Sequence, residues 1–359
     1  MKKVCIFILL LIFLPMEAQA AEIPRELVRA MPEQAEHILK GAEFSGTDGL
    51  VAGVERILQS MSQQAASIFR QRVRGAAAVL LVVILCGMVD AFYVGVEGGK
   101  ATPFLPMTGA LSVTMLTAGS LDMLIGLGAE TIRELSVFSK VLLPTLAAAT
   151  AATGAITTAT FQQVSTVFLA DLLMNLIHGL LMPMVYLYIG VLTAAACLPE
   201  NRLGAIAEGL KKVITWILTT ALMLFTVYLS VARIISGGVD SSAVRITKSA
   251  ISGVVPVVGG IIAEASETVL AGAGLLKNTI GIFGMLAILA ACAYPFLQLG
   301  IQYLLYKLTA FLAAVTGAPS LCKLIDGLGG AFGLVLGMTG SCALLLLVSV
   351  LSSVAAVVP

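Results

Sequence analysis

The chain has 359 residues, 59% of them hydrophobic and only 11% charged, with a mean hydropathy of +1.03. Soluble domains carry about 25% charged residues, so this composition excludes a soluble globular protein and describes a polytopic membrane protein. A formal net charge of +1, with no basic run beyond Arg70, Arg72 and Arg74, gives no sign of a nucleic-acid partner.

In chain order, the first element is a targeting segment. Lys2 and Lys3 give a basic start, residues 4–14 an apolar middle, and Ala18-Gln19-Ala20 a small-residue cleavage site. The pattern predicts a signal peptide over 1–20. Its apolar core of about a dozen residues is short of the roughly 20 that a span needs.

Residues 21–75 read as an exported polar helical region. Positions 22–75 hold seven acidic and seven basic residues, and Leu50, Val54, Ile57, Leu58, Met61, Ala65, Ile68 and Phe69 recur at helical spacing. That stripe can pack on the membrane domain, lie in the lipid interface, or bind another protein.

From 76 to 359 the chain reads as one transmembrane helical domain. Apolar runs lie at 76–94, 104–128, 141–159, 164–196, 213–235, 279–315 and 328–357. The run 279–315 is long enough for two helices parted near Pro295, and 164–196 for two parted near Pro183. The expected fold is an all-α helical membrane bundle of seven to nine spans. The Ala- and Thr-rich run 141–159 is expected to face other helices. Charge leaves the orientation open. If the signal is cleaved, Arg70, Arg72 and Arg74 flank the first span on the side opposite to the positive-inside rule.

Chemistry-bearing patterns are sparse. There is no HExxH, GxSxG, Walker A or GxGD motif, so an enzyme is not expected, nor a cofactor or a metal site. Cys86, Cys197, Cys292, Cys322 and Cys342 lie singly in or beside apolar runs and read as small core residues. Asp90 and Asp122, near the ends of their runs, are expected at the interface.

Three features stand out. Asp171, Asn175 and His178 recur at i, i+4 and i+7, which puts them on one helix face inside an apolar run. The face reads either as a polar clamp between helices or as the lining of a hydrated path. Gly329, Gly333 and Gly337 form a small-residue ridge where another backbone can approach, within the chain or in a homo-oligomer.

The third feature is VVPVVGGIIAEASETVLAGAGLLKN, residues 254–278. Pro256 removes a backbone donor, and Gly259 and Gly260 each cost a helix about 1 kcal/mol relative to alanine. A broken or re-entrant segment is expected, followed by a helix over 263–278. Glu267 and Asn278 share one face of that helix, Glu264 stands about 60° away, and Lys277 is off the face. Either the stretch is a loop-to-helix elbow in water, or it is buried beside a passage.

This same stretch carries a resemblance. The pattern joining Arg245 and Lys248 to Pro256, Gly259 and Gly260, then to Glu264, Glu267, Lys277 and Asn278, resembles the stage III sporulation protein AE family of endospore-forming bacteria. That family often runs somewhat longer. The resemblance implies a component of the channel-like complex between mother cell and forespore, in the mother-cell membrane around the forespore. Implied partners are other membrane proteins of that complex, a secretion-type ATPase and a forespore-side protein. It implies no catalytic residues. Hydropathy alone leaves a different class open: a stand-alone secondary transporter of a small solute, working through the broken segment 254–278.

Overall fold

The computed structural model describes residues 23–42, 44, 46–97, 104–153, 167–198, 203–228, 259–316 and 319–355. The expected signal segment and residues 229–258 lie outside these. All regular structure among the described residues is helical. Two short helices, α1 (Arg25–Arg29) and α2 (Glu33–Leu39), precede α3 (Gly46–Glu97) and α4 (Phe104–Ala152). Then come α5 (Val167–Cys197), α6 (Leu203–Tyr228), α7 (Gly259–Ala313) and α8 (Pro319–Ala355).

Among the described residues, six helices are long and apolar enough to cross a membrane, not the expected seven to nine. The difference has identifiable causes. The runs 104–128 and 141–159 were expected as separate spans, with the charged stretch 129–140 between them. That stretch instead continues the helical spacing. Ile132, Leu135, Phe138 and Leu142 are buried along one face, while Arg133 and Lys140 stand exposed on the other, so α4 runs on for 49 residues.

The suggested break at Pro295 does not occur either, because Pro295 lies inside α7. A proline deletes one hydrogen bond, and helices packed around α7 supply enough contact to keep it continuous. Near Pro183, α5 also continues, with a π-turn over Ile177–Leu181 immediately before the proline. The proline ring crowds the carbonyl four residues back. The wider turn falls on that segment and absorbs the crowding without ending the helix.

The helices alternate in direction, as specific contacts show. Tyr306 Oη of α7 donates to Thr117 Oγ1 of α4 at 3.2 Å, and Tyr188 Oη of α5 donates to the Gly327 carbonyl of α8 at 3.0 Å. At the opposite end Gly281 of α7 lies against Val354 of α8, and Gly284 against Leu142 of α4. One end therefore gathers the C-termini of α3, α5 and α7 with the N-termini of α4, α6 and α8. The C-terminal end of α8 therefore lies on the side on which α3 begins.

The core is the α7–α8 pair. In its most apolar stretch 72% of α7 residues are buried, and 61% of those of α8, against 17% for α3 and α6. Residues 280–293 of α7 are buried on almost every side, which marks a helix inside a protein core rather than one facing lipid. Around them stand α2, the first half of α3 and the second half of α4. Phe44 meets Phe283 edge-on at 5.1 Å, and Leu286 sits over Gly53.

The outer faces at this level carry exposed Glu55, Arg56 and Arg70 on α3, and Glu130, Arg133 and Lys140 on α4. Charges of this density are not tolerated against hydrocarbon. Moreover α3, α4 and α7 are about 74–83 Å long at 1.5 Å per residue, against about 30 Å of hydrocarbon. The bundle therefore continues beyond the lipid at the end where α3 begins. The polar stretch up to residue 75 is part of α3 itself, which crosses the 75/76 boundary without interruption. Its stripe buries Ile57 and Ile68, with Leu50, Val54 and Met61 partly covered, whereas Leu58 and Phe69 fall outside it and are exposed.

Candidate functional site

The conspicuous segment 254–278 divides between described and undescribed residues. Arg245, Lys248 and Pro256 lie outside the described residues. Gly259 and Gly260 open α7, and Glu264 and Glu267 follow in its first turns; the helix begins four residues before the expected 263. Lys277 is buried and Asn278, next to it, is exposed, consistent with their placement on different faces.

Asp171, Asn175 and His178 sit near the start of α5. Asn175 Nδ2 donates to Asp171 Oδ2 at 3.2 Å, and Lys140 of α4 reaches Asp171 Oδ1 at 2.8 Å. Asn175 and His178 are exposed. The Lys140 and Asp171 side chains are 56% and 38% exposed, so solvent screens the pair. Asp171→Asn is expected to lower stability by less than about 1 kcal/mol, read as the thermal midpoint of the purified protein. A larger loss would show that the pair is shielded from water in the intact membrane protein.

The glycine ridge does not all face one way. A Cβ on Gly329 would stand 3.1 Å from Tyr306 Cβ, and one on Gly333 3.1 Å from the Tyr303 ring, both on α7. Gly337 is exposed, with Leu218 of α6 the nearest neighbour at 3.9 Å. Gly340 returns to α7, 3.0 Å from the Phe296 ring by the same measure. Two of the three ridge glycines thus admit α7.

Besides Lys277, which is 3% exposed, the bundle holds a second buried charge that was not singled out from the sequence. Arg72, on α3, is only 8% exposed, and its Nε and Nη2 both donate to Gln298 Oε1, at 3.1 and 2.8 Å. Gln298 Nε2 in turn donates to Tyr294 Oη at 2.8 Å. Further along α7 follow Gln302, whose buried Oε1 has no partner among the described residues, and Tyr306, bonded to Thr117. Tyr294, Gln298, Gln302 and Tyr306 recur every four residues, which places a polar row inside an otherwise apolar helix. The signal was available in that spacing. Arg72, by contrast, read as one of a flanking basic trio, and only the parallel packing of α3 on α7 brings it to the row.

Among the described residues no group of three or more His, Cys, Asp or Glu is placed to hold a metal ion. The arrangement offers a buried, hydrogen-bonded polar row, a packed glycine face and a continuous bundle.

The comparisons with known proteins bear on that bundle as a whole. A family model described as Stage III sporulation protein AE matches residues 44–357, from the start of α3 to the end of α8. The chain belongs to the stage III sporulation protein AE family. A curated relative, the Stage III sporulation protein AE of Bacillus subtilis (strain 168), is 23% identical over 248 residues, covering 69% of this chain and 62% of the relative. The match thus spans less than two thirds of that relative's length. No solved structure matches. Membership makes this a protein of a sporulation family, its six long apolar helices make it a multi-pass membrane protein, and the match covers all six rather than one detachable part.

Proposed function

We propose that the protein is a non-enzymatic integral membrane component of the channel or secretion-like complex joining mother cell and forespore. In this reading it lies in the mother-cell membrane around the forespore. The observation that carries the reading is the family match along 44–357, which takes in the entire bundle. The geometry supports it in one further respect. The helices project past the lipid on the side where the N-terminal segment lies, which presents a helical body to partners in the intermembrane space. The proposed partners are the other membrane proteins of the complex, a secretion-type ATPase and a forespore-side protein.

The test is isolation of the full-length protein from sporulating cells in mild detergent. Recovery of an ATPase and a forespore membrane protein with it is the expected result. Solute flux in vesicles holding this protein alone, without such partners, would instead establish the secondary-transporter reading.

Within the proposed complex, the opening turns of α7 carry the functional segment. Glu267→Ala and Gly260→Leu are expected to lower spore yield while the protein still accumulates. Normal spore counts in both variants would remove the segment from the functional account.

A further inference from the structure

At the end opposite the projecting body, α5, α6, α7 and α8 enclose an open cleft of about 1060 Å³. Among the described residues four lysines line it, Lys211, Lys212, Lys307 and Lys323, against two carboxylates, Glu208 and Asp326. Lys307 is held by Asp326 through a short ion pair. The remaining three ammonium groups face one carboxylate, so the described lining is basic.

Its construction is specific. A Cβ added to Gly330 would stand 3.2 Å from Lys211 Nζ and 3.3 Å from Tyr188 Oη. The missing side chain at Gly330 thus makes the space in which the ammonium of α6 lies against α8. Tyr188 donates to the Gly327 carbonyl, and among the described residues no carboxylate forms an ion pair with Lys211.

The cleft also sits at a boundary. Lys211 and Lys212 directly precede the apolar run of α6, and the chain's only tryptophan, Trp216, follows one turn later with 68% of its surface exposed. Phe311, at the C-terminal end of α7, is 72% exposed on the other wall. Lysines beside an exposed tryptophan, with apolar surface below, are the arrangement of a membrane–water interface. Basic pockets between membrane helices at that depth hold anionic headgroups.

We infer that this cleft is a binding site for an anionic phospholipid, with the headgroup phosphate on Lys211, Lys212 and Lys323 and the acyl chains along Phe311 and Trp216. An acidic peptide would satisfy the charge, but it would leave the exposed aromatic walls uncovered in the lipid interface.

Trp216 provides the assay. The full-length protein is reconstituted into vesicles containing dibrominated phosphatidylglycerol or dibrominated phosphatidylcholine at equal mole fraction, and quenching of the single tryptophan is measured. The expected relative association constant is about tenfold higher for the anionic lipid, a fraction of what three interfacial lysines supply at most. Replacing the three lysines with glutamine is expected to abolish the preference, and replacing them with arginine to keep it. Equal quenching by the two lipids in the wild type overturns the proposal. So does an unchanged preference in the glutamine variant, or its loss in the arginine variant with helix content intact. Competition by inorganic phosphate or by polyglutamate at constant ionic strength would assign the cleft to a soluble anion or to an acidic protein, and would equally overturn it.

Discussion

Gly329→Leu will unfold the α7–α8 pair more readily than any other single change on the glycine ridge. The first atom added at this position meets Tyr306 Cβ at 3.1 Å and the Lys307 backbone nitrogen at 3.6 Å. Neither is the free end of a flexible side chain, so the conflict cannot be relieved by a rotamer change. Three further carbons then have to enter a region where Leu328, Ala331 and Phe332 are already fully buried. Interiors are packed to crystal-like density, and overpacking of this kind costs about 1–3 kcal/mol or more.

The same substitution at Gly337 is the internal control, because that position is exposed and its nearest neighbour is 3.9 Å away. There the helix-propensity gain of about 1 kcal/mol dominates, so Gly337→Leu is expected to be neutral or mildly stabilising. Thermal midpoints of the purified variants, with steady-state levels in the membrane, read the contrast. Equal losses at the two positions would mean that the ridge packs against a second copy of the chain rather than against α7.

This contrast also shows how far the sequence reaches. Spacing of four identified Gly329, Gly333 and Gly337 as one ridge, and it is a ridge on paper. An α-helix turns 100° per residue, so positions four apart drift by about 40° per step. By the third glycine the face has left α7. Composition and apolar runs sufficed for the helical membrane class, since lipid admits few alternatives.

Helix ends were less legible. Charged residues between apolar runs look like loops when the eye expects lipid, yet at 130–140 they are the wet face of α4 where it has left the membrane. The π-turn before Pro183 was not legible at all, because a proline in sequence announces a disturbance but not whether the helix ends or merely widens. For the candidate sites the limit is tertiary. The four cleft lysines come from three helices, and only the alternation of directions brings Lys211, Lys307 and Lys323 to one end. The resemblance over 245–278 was legible because it rests on a local pattern.

The second large effect is expected at Arg72 and Gln298, where the cost depends on which partner is removed first. Gln298→Leu takes away the only acceptor that the described residues offer to Nε and Nη2 of a guanidinium that is 8% exposed. The arginine side chain is tied into the seam between α3 and α7, so it cannot easily reach water. Hydrogen bonds to charged groups are worth about 1.5–3 kcal/mol, and a buried donor left unmade costs its full desolvation; a loss of this order is expected.

Arg72→Leu should cost less, since Gln298 keeps its bond to Tyr294 Oη at 2.8 Å and remains neutral. The double variant should then be more stable than Gln298→Leu alone, because an apolar pair no longer strands a charge. The cycle therefore carries a coupling energy of about 0.5–3 kcal/mol, measured from the stabilities of the four proteins in one lipid or detergent. Strict additivity would show that the guanidinium finds water or another acceptor when Gln298 is gone. In that case the polar row along Tyr294, Gln298, Gln302 and Tyr306 is hydrated rather than dry, and a hydrated row through the centre of the bundle is what a conducting subunit would need.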